Sequence, residues 1–288
     1  MDLRPSSRRP SGPAPSRTAT LLTDDGVRIS AAYDASLVPG DLAFVVAHGF
    51  TGGWRLPDSR AISRGLSEHG AVVSYDSRGH GSSSGVTTLG DAEVLDLDAA
   101  VGWARWLGAR RVVTVGFSMG GTVVLRQAAL SRAGHREAPD AVVSVSAAGF
   151  WFYKGTPPMR LLHRAVASAS GRRVLRHVFH TRVTDQEWQE PFPLSPAESA
   201  GMIAPVPLLV VHGDRDSYFP VEHARAIVDG ARAGAAARGV DDRTAEWIEA
   251  GFAHAESATD DALVHRMAQW AADVVVVELA PEVSGGAP

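Results

Sequence analysis

Apolar positions along this chain follow two rhythms. Leu42–Ala47, Ala71–Tyr75, Arg111–Val115, Ala141–Val145, Pro207–Val211 and Ala245–Glu249 are short, apolar or β-branched runs. Most are separated by stretches in which apolar residues recur every three or four positions: Ser59–Glu68, Asp91–Leu107, Thr122–Ser131, Val221–Ala233 and Asp260–Val275. The first rhythm suits strands covered on both faces, and the second suits the helices that cover them. Within Asp91–Leu107, for example, Val94, Leu95, Leu97, Ala100, Val101, Ala104 and Leu107 recur near helical spacing, while Asp91 and Glu93 favour the positive end of the helix dipole. Trp103 and Trp106 on this helix read as packing residues. Nearer the start, Ala19–Thr23 and Val27–Tyr33 flank Asp24-Asp25-Gly26, a hairpin turn. The pattern predicts an α/β fold: a mostly parallel central sheet with an N-terminal antiparallel hairpin and helices on both faces.

One segment breaks the alternation. From 151 to 200, apolar residues at helical spacing (Leu161, Leu162, Val166, then Val174, Leu175, Val178) are mixed with Pro157, Pro158, Pro191, Pro193 and Pro196. We read it as a small helical lid inserted into a core formed by 18–150 and 201–280. Residues 1–17, rich in Pro, Ser and Arg, and 281–288 read as disordered tails, and the prolines of the first oppose a targeting helix.

Chemistry enters at the end of the third parallel run. Gly116-Phe117-Ser118-Met119-Gly120 follows a buried strand and opens a helical pattern, the context of a nucleophilic serine on a sharp elbow. The same five-residue pattern recurs at Gly81-Ser82-Ser83-Ser84-Gly85, but there a turn precedes it and no helix follows. That copy reads as a loop. A nucleophilic serine needs a base, an acid to orient the base, and donors for the oxyanion. His212-Gly213-Asp214-Arg215-Asp216 ends a buried strand in two carboxylates. Asp216 is preferred as the acid, because Asp214 beside Gly213 suits the turn and Arg215 can neutralise it. His254, just after the last strand, is the candidate base. Met119 and Phe50, the latter in the glycine-rich turn after Leu42–Ala47, are the candidate backbone donors. His48 is read as holding that turn, and His69, His135, His223 and His265 as surface residues. Trp151 and Tyr153 are candidate pocket residues, with hinge packing an equal alternative.

Composition narrows the field. The chain has 288 residues, a formal net charge of −4 and no cysteine. A nucleic-acid footprint, thiol chemistry and disulfides are therefore not expected, and the absence of cysteine fits a cytoplasmic setting. No run is long enough to span a membrane, and no zinc-type ligand spacing occurs, so no metal site is expected.

Taken in order, His48-Gly49-Phe50, Tyr75-Asp76-Ser77-Arg78-Gly79-His80-Gly81, the elbow around Ser118, His212-Gly213-Asp214-Arg215-Asp216 and Gly251-Phe252-Ala253-His254 resemble the α/β-hydrolase superfamily over nearly all of residues 19–278. The branch most like it holds monoacylglycerol-lipase-like and related serine esterases and peptidases. The resemblance implies hydrolysis of a small-molecule acyl substrate through an acyl-enzyme, without a cofactor, and makes the stretch from Asp76 to Gly81 a structural turn. The leading expectation is a serine esterase acting on a small or medium ester. Thioesterase, amidase, C–C hydrolase and perhydrolase activity remain alternatives, as does a non-catalytic ligand-binding protein on the same fold. In the inserted segment Arg160, Arg164, Arg172, Arg173, Arg176 and Arg182 outnumber the acids Asp185, Glu187, Glu190 and Glu198. That excess fits either a solvated basic face or recognition of an acidic group.

Overall fold

The computed structural model describes residues 17–134, 137–186 and 188–276. Eight strands form one sheet in the order β1-β2-β4-β3-β5-β6-β7-β8. They are β1 (Arg17–Leu22), β2 (Arg28–Asp34), β3 (Leu42–Ala47), β4 (Ala71–Tyr75), β5 (Arg111–Phe117), β6 (Ala141–Val145), β7 (Leu208–Gly213) and β8 (Thr244–Glu249). β1 pairs antiparallel with β2, and β2 antiparallel with β4; every other pairing is parallel. The sheet is thus the predicted one, with its hairpin at one edge.

The pleat of β3 divides the core. Ala43, Val45 and Ala47 point to one face and Leu42, Phe44 and Val46 to the other, and all are buried. The first face is covered by α2 (Glu93–Trp106), α3 (Met119–Arg132) and α7 (Glu222–Arg238) through Leu97, Val101, Val124 and Ile227. The second is covered by α1 (Pro57–Ser67) and α8 (Asp261–Val276) through Ile62, Leu66, Val264 and Met267. Each fully buried Leu, Ile or Phe contributes roughly 1.5–3 kcal/mol relative to exposure, so both layers hold the sheet. Trp103 packs edge-on against Tyr33, whereas Trp106 is 77 % exposed.

The segment 151–200 contains α4 (Pro157–Ala167), α5 (Ala169–Val178) and α6 (Pro196–Ala200). It is stitched to the loop after β4: His80 and Thr181 form an antiparallel bridge, Thr87 and Val183 a parallel one, and the Trp188 indole donates to the Thr88 carbonyl at 2.9 Å. Arg17, assigned from sequence to the N-terminal tail, opens β1 instead. The rest of that tail, the C-terminal tail, His135 and Glu187 lie outside the described residues. Among the described residues no helix is long and apolar enough to cross a membrane.

Candidate active site

Ser118 stands between the last residue of β5 and the first of α3, with φ 50° and ψ −112°. That positive-φ conformation costs a residue with a side chain on the order of 1–3 kcal/mol and persists only where the surroundings impose it. They do so here through close packing. A Cβ at Gly116 would run into the Gly120 backbone, and one at Gly120 into the Ala47 carbonyl. Only glycine permits strand and helix to meet at this angle. Three further non-glycine residues with positive φ lie in the loops around Ser118: Thr51 after β3 (64°), Ser146 after β6 (51°) and Ala255 after β8 (52°).

The carboxyl ends of β5, β7 and β8 bring three distant side chains together. His254 Nε2 lies 2.9 Å from Ser118 Oγ, and His254 Nδ1 lies 2.7 Å from Asp216 Oδ2. The Asp216 side chain is fully shielded, and its other oxygen accepts the N–H groups of Tyr218 and Phe219 at 2.8 and 3.0 Å. With its carboxylate so fixed, Asp216 favours the Nδ1–H tautomer of His254, which leaves Nε2 as the ring's acceptor. Asp214 is exposed and accepts the Gly251 N–H at 2.7 Å, bracing the turn before His254.

The β3 loop is held by buried histidines. His48 Nε2 accepts the Ser77 N–H at 3.0 Å, so its Nδ1–H donates to the Gly49 carbonyl at 2.7 Å. His80 accepts the Thr51 N–H at Nε2, and burial pushes its pKa down to about 3, which keeps it neutral. Both rings therefore shape the turn that carries Phe50. Met119 opens α3, so its N–H is one of the first-turn donors without an intrahelical acceptor. Gly49, the residue before Phe50, lies against the elbow: a Cβ placed there would stand 3.3 Å from the Ser118 Cβ.

Several residues of the site carry no signal that sequence reasoning picks out. Tyr218 stacks on the His254 ring, with centroids 4.4 Å apart and planes 28° apart, and Phe219 lies 5.7 Å away. Position alone marks them, two and three residues beyond Asp216. Glu256, two residues after His254, accepts the Gly49 N–H at 2.6 Å through Oε1. It joins the histidine loop to the loop that carries Phe50. Ser146 Oγ accepts the Ala255 N–H at 3.1 Å and pins the same histidine loop from β6.

His223 corrects the surface reading. It is 3 % exposed, because α7 turns it inward with Ala224, Ile227 and Ala231, and its Nδ1 accepts the Gly149 N–H at 2.9 Å. Burial lowers its pKa to about 4. Phe150, Tyr153 and Phe219 pack around it at 5.5, 4.3 and 5.2 Å. Tyr153 therefore belongs to an aromatic cluster that reaches His254 through Phe219. Trp151 instead packs edge-on against Trp188 and donates to the Pro193 carbonyl at 2.9 Å, within the inserted segment. His69 and His265 are hydrogen-bonded to each other at 3.0 Å, neither fully exposed. Among the described residues no group of three or more His, Asp or Glu side chains is placed to hold a metal ion.

Comparison with known proteins agrees with this architecture. The structure of an esterase from Pyrococcus furiosus superposes with a TM-score of 0.65 at 21 % identity, covering 91 % of this chain and 92 % of that one. An esterase domain from a Rhodothermus marinus protein gives 0.59 at 21 % identity, over 90 % and 99 % of the two chains. Est1E from Butyrivibrio proteoclasticus, solved with bound ferulic acid, gives 0.58 at 19 % identity, over 91 % and 100 %. No curated protein matches the sequence. At these identities the superpositions speak for the fold. The sequence model of the alpha/beta hydrolase family matches residues 44–283, most of the chain, and the protein belongs to that family.

Proposed function

We propose that the protein is a serine hydrolase that cleaves a small or medium carboxylic ester through an acyl-enzyme on Ser118. The observation that carries this reading is the unbroken line Ser118 Oγ, His254, Asp216, at 2.9 and 2.7 Å, on a strained elbow. Ser118 Oγ attacks the ester carbonyl while His254 Nε2 takes its proton, and Asp216 stabilises the resulting imidazolium. The carbonyl oxygen becomes an oxyanion held by the N–H groups of Met119 and Phe50; one such donor is worth about 2.7–4 kcal/mol in the transition state. His254 then passes the proton to the leaving alcohol as the C–O bond breaks. Water, deprotonated by the same imidazole, attacks the acyl-enzyme and releases the acid, regenerating Ser118. No cofactor is needed.

Tyr218 and Phe219 hold the imidazole plane, and the Tyr153 cluster borders the acyl site. The helical segment 151–200 serves as the lid. Intact-mass analysis after a fluorophosphonate probe tests the reading. One adduct on the wild type and none on Ser118→Ala is the expected result. Folded wild-type protein that takes no adduct and turns over no p-nitrophenyl ester would instead favour a ligand-binding protein on this fold.

A further inference from the structure

The second Gly-x-Ser-x-Gly loop and the hairpin edge enclose an open groove of about 740 Å³ that the hydrolytic reading does not use. Arg28, Arg55 and Arg182 line it with the hydroxyl-bearing Ser82 and Ser84, and none of its described lining residues is acidic. Its floor is stiff. The Arg28 N–H donates to Ser84 Oγ at 2.8 Å, the Ser84 N–H returns a bond to the Arg28 carbonyl at 2.7 Å, and the Ser30 N–H donates to Ser83 Oγ at 2.8 Å.

The charges are oriented but largely uncompensated. Arg182 donates from Nε to the Gly85 carbonyl at 3.0 Å and from Nη2 to the Ser83 carbonyl, neutral partners that fix the guanidinium without cancelling its charge. Arg55 lies over the Trp54 ring at 3.9 Å and meets Asp76 at 3.3 Å. Among the described residues no carboxylate meets Arg28 or Arg182. Elsewhere Arg60, Arg78, Arg105, Arg111 and Arg126 each meet at least one. In a chain of net charge −4, the groove is a local reversal of sign. Arg182 also borders an adjoining hollow of about 490 Å³ with Arg172, Arg173, Arg176 and His177, where Asp185 is the one described acid.

The groove is at the catalytic end of the sheet. Ala31 in β2 pairs with Tyr75, the last residue of β4, so Arg28 and Ser30 lie beyond the carboxyl ends of the parallel strands. The Arg182 carbonyl accepts the Thr87 N–H at 2.8 Å, and the Thr87 hydroxyl approaches the Met119 sulfur at 3.9 Å.

We propose that this groove binds a phosphate group. Guanidinium forks from three different segments, with serine hydroxyls between them, offer more donors than the two oxygens of a carboxylate can use; a phosphate presents three or more acceptor oxygens and a second charge. The phosphate has two sources: the leaving-group side of the protein's own substrate, which rests on the hydrolase reading, or a separate phosphorylated molecule held beside the cleft.

Calorimetric titration with sodium pyrophosphate at low ionic strength tests the site without reference to turnover. A saturable isotherm is expected for the wild type and for Ser118→Ala, weakened at least tenfold by Arg28→Glu. Arg28 contributes only backbone bonds to the hairpin, and an unchanged melting temperature verifies that the variant is folded. No saturable binding to the wild type, or equal binding to Arg28→Glu and to the Arg28→Glu, Arg55→Gln double variant, overturns the proposal. Monobutyryl glycerol 3-phosphate and monobutyrylglycerol then distinguish the sources. If the phosphate is the substrate's, Arg28→Glu raises KM about tenfold for the first and leaves the second unchanged. If it belongs to another molecule, both KM values stay put while pyrophosphate binding still falls. Failure of the wild type to cleave either ester would count against the hydrolase reading, and the titration alone would then decide whether the groove holds phosphate.

Discussion

Gly116–Gly120 and Gly81–Gly85 spell the same five-residue pattern and give their central serines opposite lives. Ser118 follows a strand buried from Val112 to Phe117, and the glycines on either side let α3 start against it, so Oγ projects toward His254. Ser83 sits in a loop, 2 % exposed, with its hydroxyl donating to the Asp76 carbonyl at 2.5 Å and accepting the Ser30 N–H. One hydroxyl is left with an imidazole as its partner, and the other is consumed in holding the chain together. A short motif acquires chemistry from the elements that flank it, because those elements decide whether its side chain is free to react.

The comparison can be broken most directly at its two serines. Ser118→Ala is expected to lower kcat for a p-nitrophenyl ester by about a millionfold with the fold intact by circular dichroism; retained turnover would end the assignment. Next comes the acid: Asp216→Asn should cost roughly a thousand- to ten-thousandfold in kcat, by imposing the wrong imidazole tautomer. Asp214→Asn, which touches only the turn at Gly251, should cost less than about tenfold, and steady-state kinetics of the pair would expose a reversed ranking. Glu256→Ala should reduce kcat by about ten- to a hundredfold with little change in KM, because the Gly49 bond steadies the loop of Phe50, the proposed donor. Glu256→Gln, which keeps an acceptor oxygen, should recover most of that loss.

Acid sharpens the contrast between the histidine proposed as the base and those that hold loops. His80 and His223 have folded pKa values of about 3 and 4, below the unfolded value near 6.5. Between those limits the unfolded chain binds more protons, so stability is full above about pH 6.5 and declines as pH falls toward 4 and then 3. Each ring should contribute a loss on the order of a few kcal/mol. Melting temperatures from pH 7 to 4 should fall, and His223→Gln should flatten the upper part of that decline. The smallest effect belongs to the other serine: Ser83→Ala should leave kcat unchanged and lower stability by about 1 kcal/mol, read by urea denaturation.

The middle of the sheet is legible in the sequence because β3 to β7 are buried on both faces, so apolar runs such as Leu42–Ala47 announce themselves. Ser118, Asp216 and His254 can be picked out as candidates because each follows closely on the carboxyl end of a strand. Glu256 and the Tyr218 stack are not legible, since their roles depend on loops that meet only in the folded chain. His223 is a different case. Its burial is written in the spacing His223, Ile227, Ala231, one face of α7, but a titratable residue at the start of a helix reads as a solvated one. The segment 151–200 stands out as a break in rhythm, whereas its attachment through Thr181 and Val183 does not, for single bridges leave no periodic trace.

Thr51, Ser118, Ser146 and Ala255 hold unfavourable backbone angles in loops from four different strands. Such angles survive only while the sheet beneath keeps those strand ends in register. Warming that loosens the strand ends lets these four residues relax first, long before the two buried layers separate. Catalytic competence should therefore fade at a lower temperature than the one at which the molecule melts, and cooling should restore it, since the hydrophobic core that rebuilds the elbow has never come apart.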